Sequence, residues 1–397
     1  MCVCVGIVQH KGDIAMVPMI PFRKKVLRTT ITLFILLVGR WISISGVVQS
    51  TYSLRKRDSI SICNRTIFLS EVHESGPEPP SLTHGTLLLD SYVIGRLGNV
   101  FRTLFHGIDM ARDRNLSLNV MRTSHIGRQI VYDVQGLFPF LSEDQMESIF
   151  GFHFTANRRS PQTVSTSDVY YYGGGNAGDP VRKNVTRAQM ATIKSERRRV
   201  FREVFRLMES AMATDDANTA GQLCKSIEST GIGSAPFTVI HSRSIVAEAR
   251  GGKYPPEHTQ KKLDVINNRI GVHTSGLIDH PPDLIFHFLK PLGLENEKVF
   301  MISDGLDMSS ADRLAASTQF SRTFRFVSGG DPFQDIILAV LSDVFIGNPI
   351  STYSTLIAQI RYALGLNHNF LHVRQNNNEE WETFCEDENC FYELHSV

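Results

Sequence analysis

The second half of the sequence alternates short apolar strands with helices, and this alternation constrains the fold more than any other feature. Apolar runs of strand length are predicted at 237–240, 298–302, 324–327 and 344–346. Helices are predicted at 282–289, after Asp331-Pro332 and from Ser351 onward. Strands and helices that alternate in this way form a parallel sheet, and ligands bind at the carboxyl ends of its strands. The pattern therefore predicts an α/β fold with a ligand-binding edge.

The last of these strands leads through a tight turn into a helix. Gly347 and Pro349 suit a sharp reversal of the chain. Ser351 or Thr352 can then cap the helix. Because the free N–H groups at a helix start attract anions, the hydroxyls of Ser351, Thr352 and Ser354 mark a candidate diphosphate site. Many helices are capped in this way for stability alone, and that alternative stays open.

Polar side chains follow two further strands of the predicted sheet. His241 and Arg243 come after the strand at 237–240, and Asp304 comes after the strand at 298–302. A guanidinium binds phosphate through two parallel hydrogen bonds, so Arg243 is the candidate that stabilises a departing nucleoside diphosphate. Asp304 can accept a hydrogen bond from a ribose or a base, or cap the next helix. His241 can contact the nucleotide or pack structurally.

The first half contains one comparable loop, GRLGN at 95–99, between a predicted strand at 87–89 and a predicted helix at 100–114. A further strand is predicted at 116–120, which begins a second β-α-β unit. Gly95 and Gly98 allow a close backbone approach, and Asn99 can cap the helix or orient a sugar hydroxyl. Starting a helix would explain Gly98 and Asn99, but it would not explain Arg96 as readily.

Length and charge restrict the classes of function. A chain of 397 residues exceeds the usual size of one core, so two core-forming units are expected. Residues are 42% apolar and 20% charged, and the net charge is +1. This balance gives no reason to expect a nucleic-acid partner.

The N-terminal region has the features of a membrane anchor. A basic cluster at 23–28 precedes an uncharged run at 29–39, and apolar character resumes after Arg40 at 41–48. The combined length is sufficient to span a bilayer, and the preceding positive charges favour a cytoplasmic N-terminus. We expect a signal anchor, with a cleaved signal peptide as the alternative. Either interpretation places the remaining chain in the secretory lumen.

A lumenal chain can carry glycans and disulfides. Candidate N-glycosylation sites are Asn64, Asn115 and Asn184. The cysteines after the anchor are Cys63, Cys224, Cys385 and Cys390, of which Cys385 and Cys390 are the expected pair because they enclose a short loop. No cysteine or histidine spacing indicates a metal site.

Three motifs resemble those of the GDP-fucose-dependent fucosyltransferases. The segment GRLGN at 95–99 is similar to GRxGNQ, and HSR at 241–243 resembles the HxR signature. The segment FIGNPISTYS at 345–354 resembles FIGNxxSSFS of the protein O-fucosyltransferase branch. The sequence departs from the pattern at Val100, where glutamine is usual, and at Val246, where an acidic residue is usual; Glu248 lies nearby. The resemblance covers the protein O- and α-1,2-fucosyltransferases together and does not select one branch.

The resemblance implies a GT-B-like fold with two Rossmann-like domains facing a cleft, and inverting transfer from GDP-fucose without a metal or another cofactor. By motif position, the catalytic residues would be Arg243 and Asn99. The donor-binding residues would be Gly95, Arg96, Gly98, His241, Arg243, Asp304, Ser351, Thr352 and Ser354. The rival function is a membrane-anchored carbohydrate- or nucleotide-sugar-binding protein that keeps the fold without turnover.

The predicted layout places a single-pass type II protein in the Golgi or ER membrane, with its catalytic region lumenal. Its segments are a cytoplasmic tail at 1–28, an anchor at 29–49, a stem at 50–84, an acceptor-side domain at 85–230, a nucleotide-sugar domain at 231–375 and a tail at 376–397. The expected partners are the donor, a glycan or protein acceptor, and the membrane. Protein hydroxyls, an N-glycan core and terminal galactose remain open as acceptors.

Overall fold

The structure is a computed structural model. It describes residues 59–63, 65–69, 86–89, 97–155, 163–164, 187–213, 224–225, 227–228, 231–232, 235–243, 280–303, 305, 308–327, 331–348, 351–374 and 381–385. Contacts divide the chain into Met1–Arg57 and Asp58–Val397, and all of the described residues belong to the second unit. The predicted anchor at 29–49 therefore lies outside the described residues. Within these residues, no helix combines the length and apolar character that crossing a membrane requires.

A hairpin and a four-stranded parallel sheet occupy the first half of the unit. The hairpin pairs β1 (Ser59–Ile62) with β2 (Arg65–Phe68). The sheet contains β3 (Thr86–Leu89), β4 (Ser117–Met121), β5 (Phe152–Thr155) and β6 (Thr163–Val164), in the order β5-β4-β3-β6. The helices of this half are α1 (Leu97–Asp113), α2 (His125–Leu137), α3 (Glu143–Phe150) and α4 (Arg187–Ala213).

A six-stranded sheet forms the second half. Its strands are β7 (Phe237–Ser242), β8 (Lys298–Ser303), β9 (Phe324–Val327), β10 (Val344–Gly347), β11 (Asn369–Arg374) and β12 (Trp381–Cys385). Its helices are α5 (Pro282–Leu289), which continues as a 3-10 turn at Lys290–Leu292, α6 (Ser309–Ala316), α7 (Pro332–Leu341) and α8 (Thr352–Ala363). The order is β12-β11-β10-β7-β8-β9, and every pair is parallel except β11 with β12. The mixed α/β architecture with parallel sheets is as the alternation predicts.

Buried apolar residues explain why β7 and β10 lie at the centre of this sheet. Every residue of both strands is buried, because helices cover the sheet on its faces. Leu338 of α7 and Ile357 of α8 belong to one core together with Phe101 of α1. The core is thus continuous from the helices of the first sheet to those of the second.

A disulfide and the contacts of one arginine link the N-terminal hairpin to the rest of the unit. Cys63 bonds to Cys224 across 161 residues, which in a chain-entropy estimate stabilises the fold by about 5 kcal/mol. The Arg65 guanidinium lies 4.5 Å from the centre of the Phe237 ring and donates to the Leu341 carbonyl at 3.0 Å. The expected pair Cys385–Cys390 lies outside the residues whose side chains the structure describes.

Candidate functional site

The strand order locates a crevice at the carboxyl edge of the six-stranded sheet. From β7 the chain proceeds to β8 and β9 on one side, whereas β10 lies on the other side of β7. The connections therefore diverge between β7 and β10, and ligands of open α/β sheets bind in the crevice at such a point. His241 and Arg243 lie at the end of β7, and Asn348 follows β10.

Three polar residues at this edge form one hydrogen-bonded network. His241 is buried, and its Nδ1 lies 2.7 Å from the Ser354 Oγ. The Ser354 Oγ also accepts from the Asn348 N–H at 2.8 Å. Because that oxygen already accepts one hydrogen bond, its own proton can be donated to Nδ1. The network therefore joins the end of β7, the turn after β10 and the first turn of α8.

The charge state of His241 follows from its surroundings. Burial, followed by the nearby charge of Arg243, lowers the pKa of His241 to about 3. The ring is consequently neutral at pH 7 and leaves Arg243 as the cation at this strand end. His241 can orient Ser354 and donate a hydrogen bond, but it contributes no positive charge to a bound diphosphate.

Ser351 caps α8, as the sequence predicts. Its Oγ accepts from the Ser354 N–H at 3.4 Å, and its carbonyl accepts from the Thr355 hydroxyl at 3.3 Å. Ser351 and Ser354 are both fully buried, whereas Thr352 is half-buried. The serine hydroxyls thus hold the helix start in place, and the helix presents its first-turn N–H groups at the crevice.

Asn348 is the residue that the sequence reasoning missed. The sequence marks it only as a turn residue, but its side chain is fully buried and its Nδ2 donates to the Arg243 carbonyl at 3.0 Å. It therefore fixes the backbone of Arg243, which is 105 positions away in the sequence. Its position inside the FIGN segment was the available signal.

The first helix of the unit approaches the same crevice. α1 begins at Leu97, so Asn99 lies in its first turn; of the two roles that the sequence allows for Asn99, the structure excludes that of helix cap. The Asn99 carbonyl accepts from the Thr103 hydroxyl at 2.9 Å, as expected inside a helix. Gly98 packs directly on Thr352 of α8. The structure thus brings Gly98 and Asn99 to the start of the helix that holds Ser351, Thr352 and Ser354.

Three predicted site residues fall outside the described part of the chain: Gly95, Arg96 and Asp304. Ser303 ends β8, next to β7 in the sheet, so Asp304 is the following position in the chain. Within the described ranges, no three His, Cys, Asp or Glu side chains come together as a metal site.

An acidic group borders the network at the start of α7. The Tyr353 ring lies 5.2 Å from the His241 ring, and its hydroxyl donates to the Pro332 carbonyl at 2.9 Å. Burial, followed by the charge of Asp331, raises the pKa of Asp335 to about 7. Burial, followed by the charge of Asp335, raises the pKa of Tyr353 well above its ordinary value, so its hydroxyl stays protonated.

Comparisons with known proteins find similarity only among solved structures. No protein family and no curated protein matches the chain. A structure of POFUT1 with GDP has 12% identity and a TM-score of 0.35, over 71% of this chain and 95% of that one. POFUT1 with GDP-fucose has 14% identity, a TM-score of 0.35 and the same coverage. NodZ alpha-1,6-fucosyltransferase with GDP has 12% identity and a TM-score of 0.34, over 75% and 97%. Similarity this loose assigns no residue roles to this chain.

Proposed function

We propose that this protein is a glycosyltransferase that transfers fucose from GDP-fucose to a hydroxyl of a protein or glycan, with inversion and without a metal ion. One observation carries the proposal: the HSR and FIGNPISTYS motifs meet at the crevice between β7 and β10. The Asn348 side chain of the second motif donates to the Arg243 carbonyl of the first, although the two residues are 105 positions apart in the sequence. Motifs that resemble a donor site in sequence are therefore adjacent in space, at the position where α/β sheets bind nucleotides.

The donor side would act by electrostatic stabilisation of the leaving group. As the bond from C1 of fucose to the β-phosphate oxygen breaks, negative charge develops on GDP. The Arg243 guanidinium would neutralise that charge through two hydrogen bonds. The positive end of the α8 dipole would add to this effect. Neutral His241 would keep Ser354, and with it the start of α8, in register.

The acceptor side would be provided by α1. Asn99 lies in the first turn of that helix. The preceding residue, Gly98, packs on Thr352 of α8, so Asn99 lies near the start of α8. The Asn99 side-chain amide would orient the acceptor hydroxyl, whose oxygen bonds to C1 on the face opposite to GDP. Its proton would pass to water, and GDP would leave with the electron pair of the broken C1–O bond. This geometry gives inversion of configuration at C1.

The proposed location is the lumen of the Golgi or ER, behind a type II anchor at 29–49. The Cys63–Cys224 disulfide supports an oxidising compartment, because such bonds persist there and are rare in the cytosol. Endoglycosidase treatment of the expressed protein should shift its band. Protease access to the catalytic region in sealed microsomes would contradict this topology.

One observation favours the alternative, a binding protein of the same fold without turnover. Val100 stands at the position where the resembled family has glutamine, and it is fully buried in the core. That position therefore offers no polar group to a substrate.

Two measurements separate these functions. Calorimetry on the purified lumenal region should detect GDP binding that persists in EDTA, and a GDP-release assay with GDP-fucose and a mixed acceptor library should detect transfer. Binding without release would favour the alternative. Binding only with manganese would contradict the proposed metal independence. No GDP binding at all would contradict the transferase and leave only a carbohydrate-binding protein as the alternative.

A further inference from the structure

Gly98 of α1 is in closer contact with a neighbouring helix than any side chain would allow. A Cβ atom at this position would lie 2.4 Å from the Thr352 carbonyl carbon and 2.6 Å from the Thr352 oxygen. These are backbone atoms, which cannot rotate away as a side chain can. An ordinary contact begins at 3.4 Å, so even one methyl group would require a displacement of about 1 Å.

Two other helical glycines of the same half have ordinary surroundings, whereas a Cβ at a third, Gly127 of α2, would lie 2.2 Å from the Met121 carbonyl oxygen. A Cβ at Gly107, nine positions further along α1, would meet the Leu118 methyl groups at 3.4 Å. A Cβ at Gly136 of α2 would have no neighbour within 4 Å. Among the described glycines of α1 and α2, Gly98 and Gly127 both lack room for a side chain, but only at Gly98 is the obstacle helix α8.

The α8 side of this contact is held by several hydrogen bonds. The start of α8 is fixed from behind, because Ser354 bonds to His241 and to Asn348, and Ser351 caps the helix. We therefore expect an obstruction at Gly98 to displace α1 rather than α8.

We propose that Gly98 is a positioning residue that sets the separation between the donor helix α8 and the acceptor-side Asn99. The inference rests on the proposed function, because it assigns the two helices to the two substrates. Asn99 follows Gly98 directly, so a shift of α1 moves Asn99 away from the diphosphate held at α8. Transfer requires the reacting atoms to be about 3–3.5 Å apart, and a misplacement of about 1 Å can cost on the order of 10²-fold in rate.

The test compares Gly98→Ala with Gly107→Ala. Both variants add one methyl group to α1, but only Gly98→Ala obstructs α8. We expect Gly98→Ala to lower kcat by roughly 10- to 100-fold while the Kd for GDP changes less than about threefold. Gly107→Ala should leave both within about twofold. Wild-type turnover in Gly98→Ala, or equal losses in GDP affinity and kcat, would overturn the proposal.

Hydrogen exchange gives a second measurement that does not depend on turnover. Gly98→Ala should exchange faster than Gly107→Ala at residues 101–104 of α1, with residues 355–358 of α8 unchanged. Equal exchange in the two variants would overturn the proposal. If the wild type binds GDP and transfers nothing, the proposed function fails, but this comparison still decides whether Gly98 sets the separation.

If Gly98→Ala does not fold, the wild-type protein alone still tests the proposal. GDP added to the wild-type protein should slow exchange at residues 101–104, because a rigid α8 restrains α1 through the contact. Residues 107–110 of the same helix should change less. Equal protection of both segments, or of neither, would overturn the proposal.

Discussion

The polar side chains at the two ends of α8 have different roles. At its start, Ser351 and Ser354 belong to a network of neutral groups at the crevice between β7 and β10. At its end, Arg361 is a fully buried cation that donates to the carbonyls of residues 339, 340 and 342 at 2.8, 3.1 and 2.6 Å. The first end lies at the proposed donor site, whereas the second satisfies carbonyls of the protein itself. A charged side chain on a helix can therefore mark stability as readily as function, and its surroundings decide which.

Burial affects Arg361 strongly without removing its charge. It lowers the pKa of Arg361 to about 9, which still leaves the guanidinium protonated at pH 7. The surrounding carbonyl dipoles replace the water that burial removes. Arg361 thereby ties the end of α7 and the segment before β11 to α8.

The largest expected effect concerns this buried end. Arg361→Met should lower the free energy of unfolding by about 3–5 kcal/mol, because several buried carbonyls lose their donor together. Urea unfolding measures the loss. Arg206→Met is the control, since Arg206 is exposed and its ion pair with Glu203, at 3.9 Å, contributes little. A similar loss in both variants would contradict the role assigned to Arg361.

The next effect concerns the crevice end. Arg243→Ala should lower turnover by roughly 10²–10³ and shift the melting temperature little, because the guanidinium would act on the leaving GDP. Arg243→Lys should recover little, since a point charge does not replace the planar two-donor group. Initial rates and thermal melts on the same preparations measure both quantities. A variant that retains near-wild-type turnover would remove Arg243 from the mechanism.

A smaller effect distinguishes two buried asparagines, one at each end of α8. Asn348→Ala removes the hydrogen bond that holds the Arg243 carbonyl, and it should cost about tenfold in turnover or GDP affinity. Asn369→Ala removes contacts to Arg361 and the Leu366 carbonyl, and it should lower stability with turnover of the folded protein unchanged. Calorimetry and melts on both variants test the comparison. A loss of turnover in Asn369→Ala, or a loss of stability alone in Asn348→Ala, would contradict the comparison.

The smallest effect is a pH dependence at the crevice end. The pKa of Asp335 is raised to about 7 in the fold from an ordinary value of 3.8, so folding favours its protonated form. That contribution is fully present below about pH 4 and is lost as the pH rises towards 7. Asp335→Asn should therefore raise the melting temperature more at pH 8 than at pH 5. An equal change at both pH values would show that the carboxyl does not titrate in this range.

The sequence predicts the elements whose signals are local. The apolar strand at 237–240, the Asp331-Pro332 helix start and the Ser351 cap all appear in the structure, because each depends on a few neighbouring residues. Helix α4 begins at Arg187, but polar residues obscure its first turns, and its amphipathic pattern is clear only at 195–212. Helix α3 was missed, although Ser142 and Gln145 form a capping box at its start.

Contacts between distant residues could not be predicted from the sequence in this way. Nothing near Asn348 indicates that its side chain reaches Arg243, and nothing near Gly98 indicates that its neighbour is Thr352. Arg361 looks like an ordinary helix-surface cation until the helix is packed. The site was therefore predictable as a set of motifs, but not as a network, because the network depends on the order of the strands.

The Cys63–Cys224 bond has a consequence for how the chain assembles during synthesis. It makes β3, β4 and α1 part of one covalent ring, whereas β7 to β12 lie outside it. Cys63 is synthesised first, and its partner Cys224 follows 161 residues later. Synthesis of that segment takes about 8–32 s at roughly 5–20 residues per second. During that interval the first sheet can collapse before the ring closes. The six-stranded sheet is therefore synthesised last, after the first sheet can already have been closed by the disulfide.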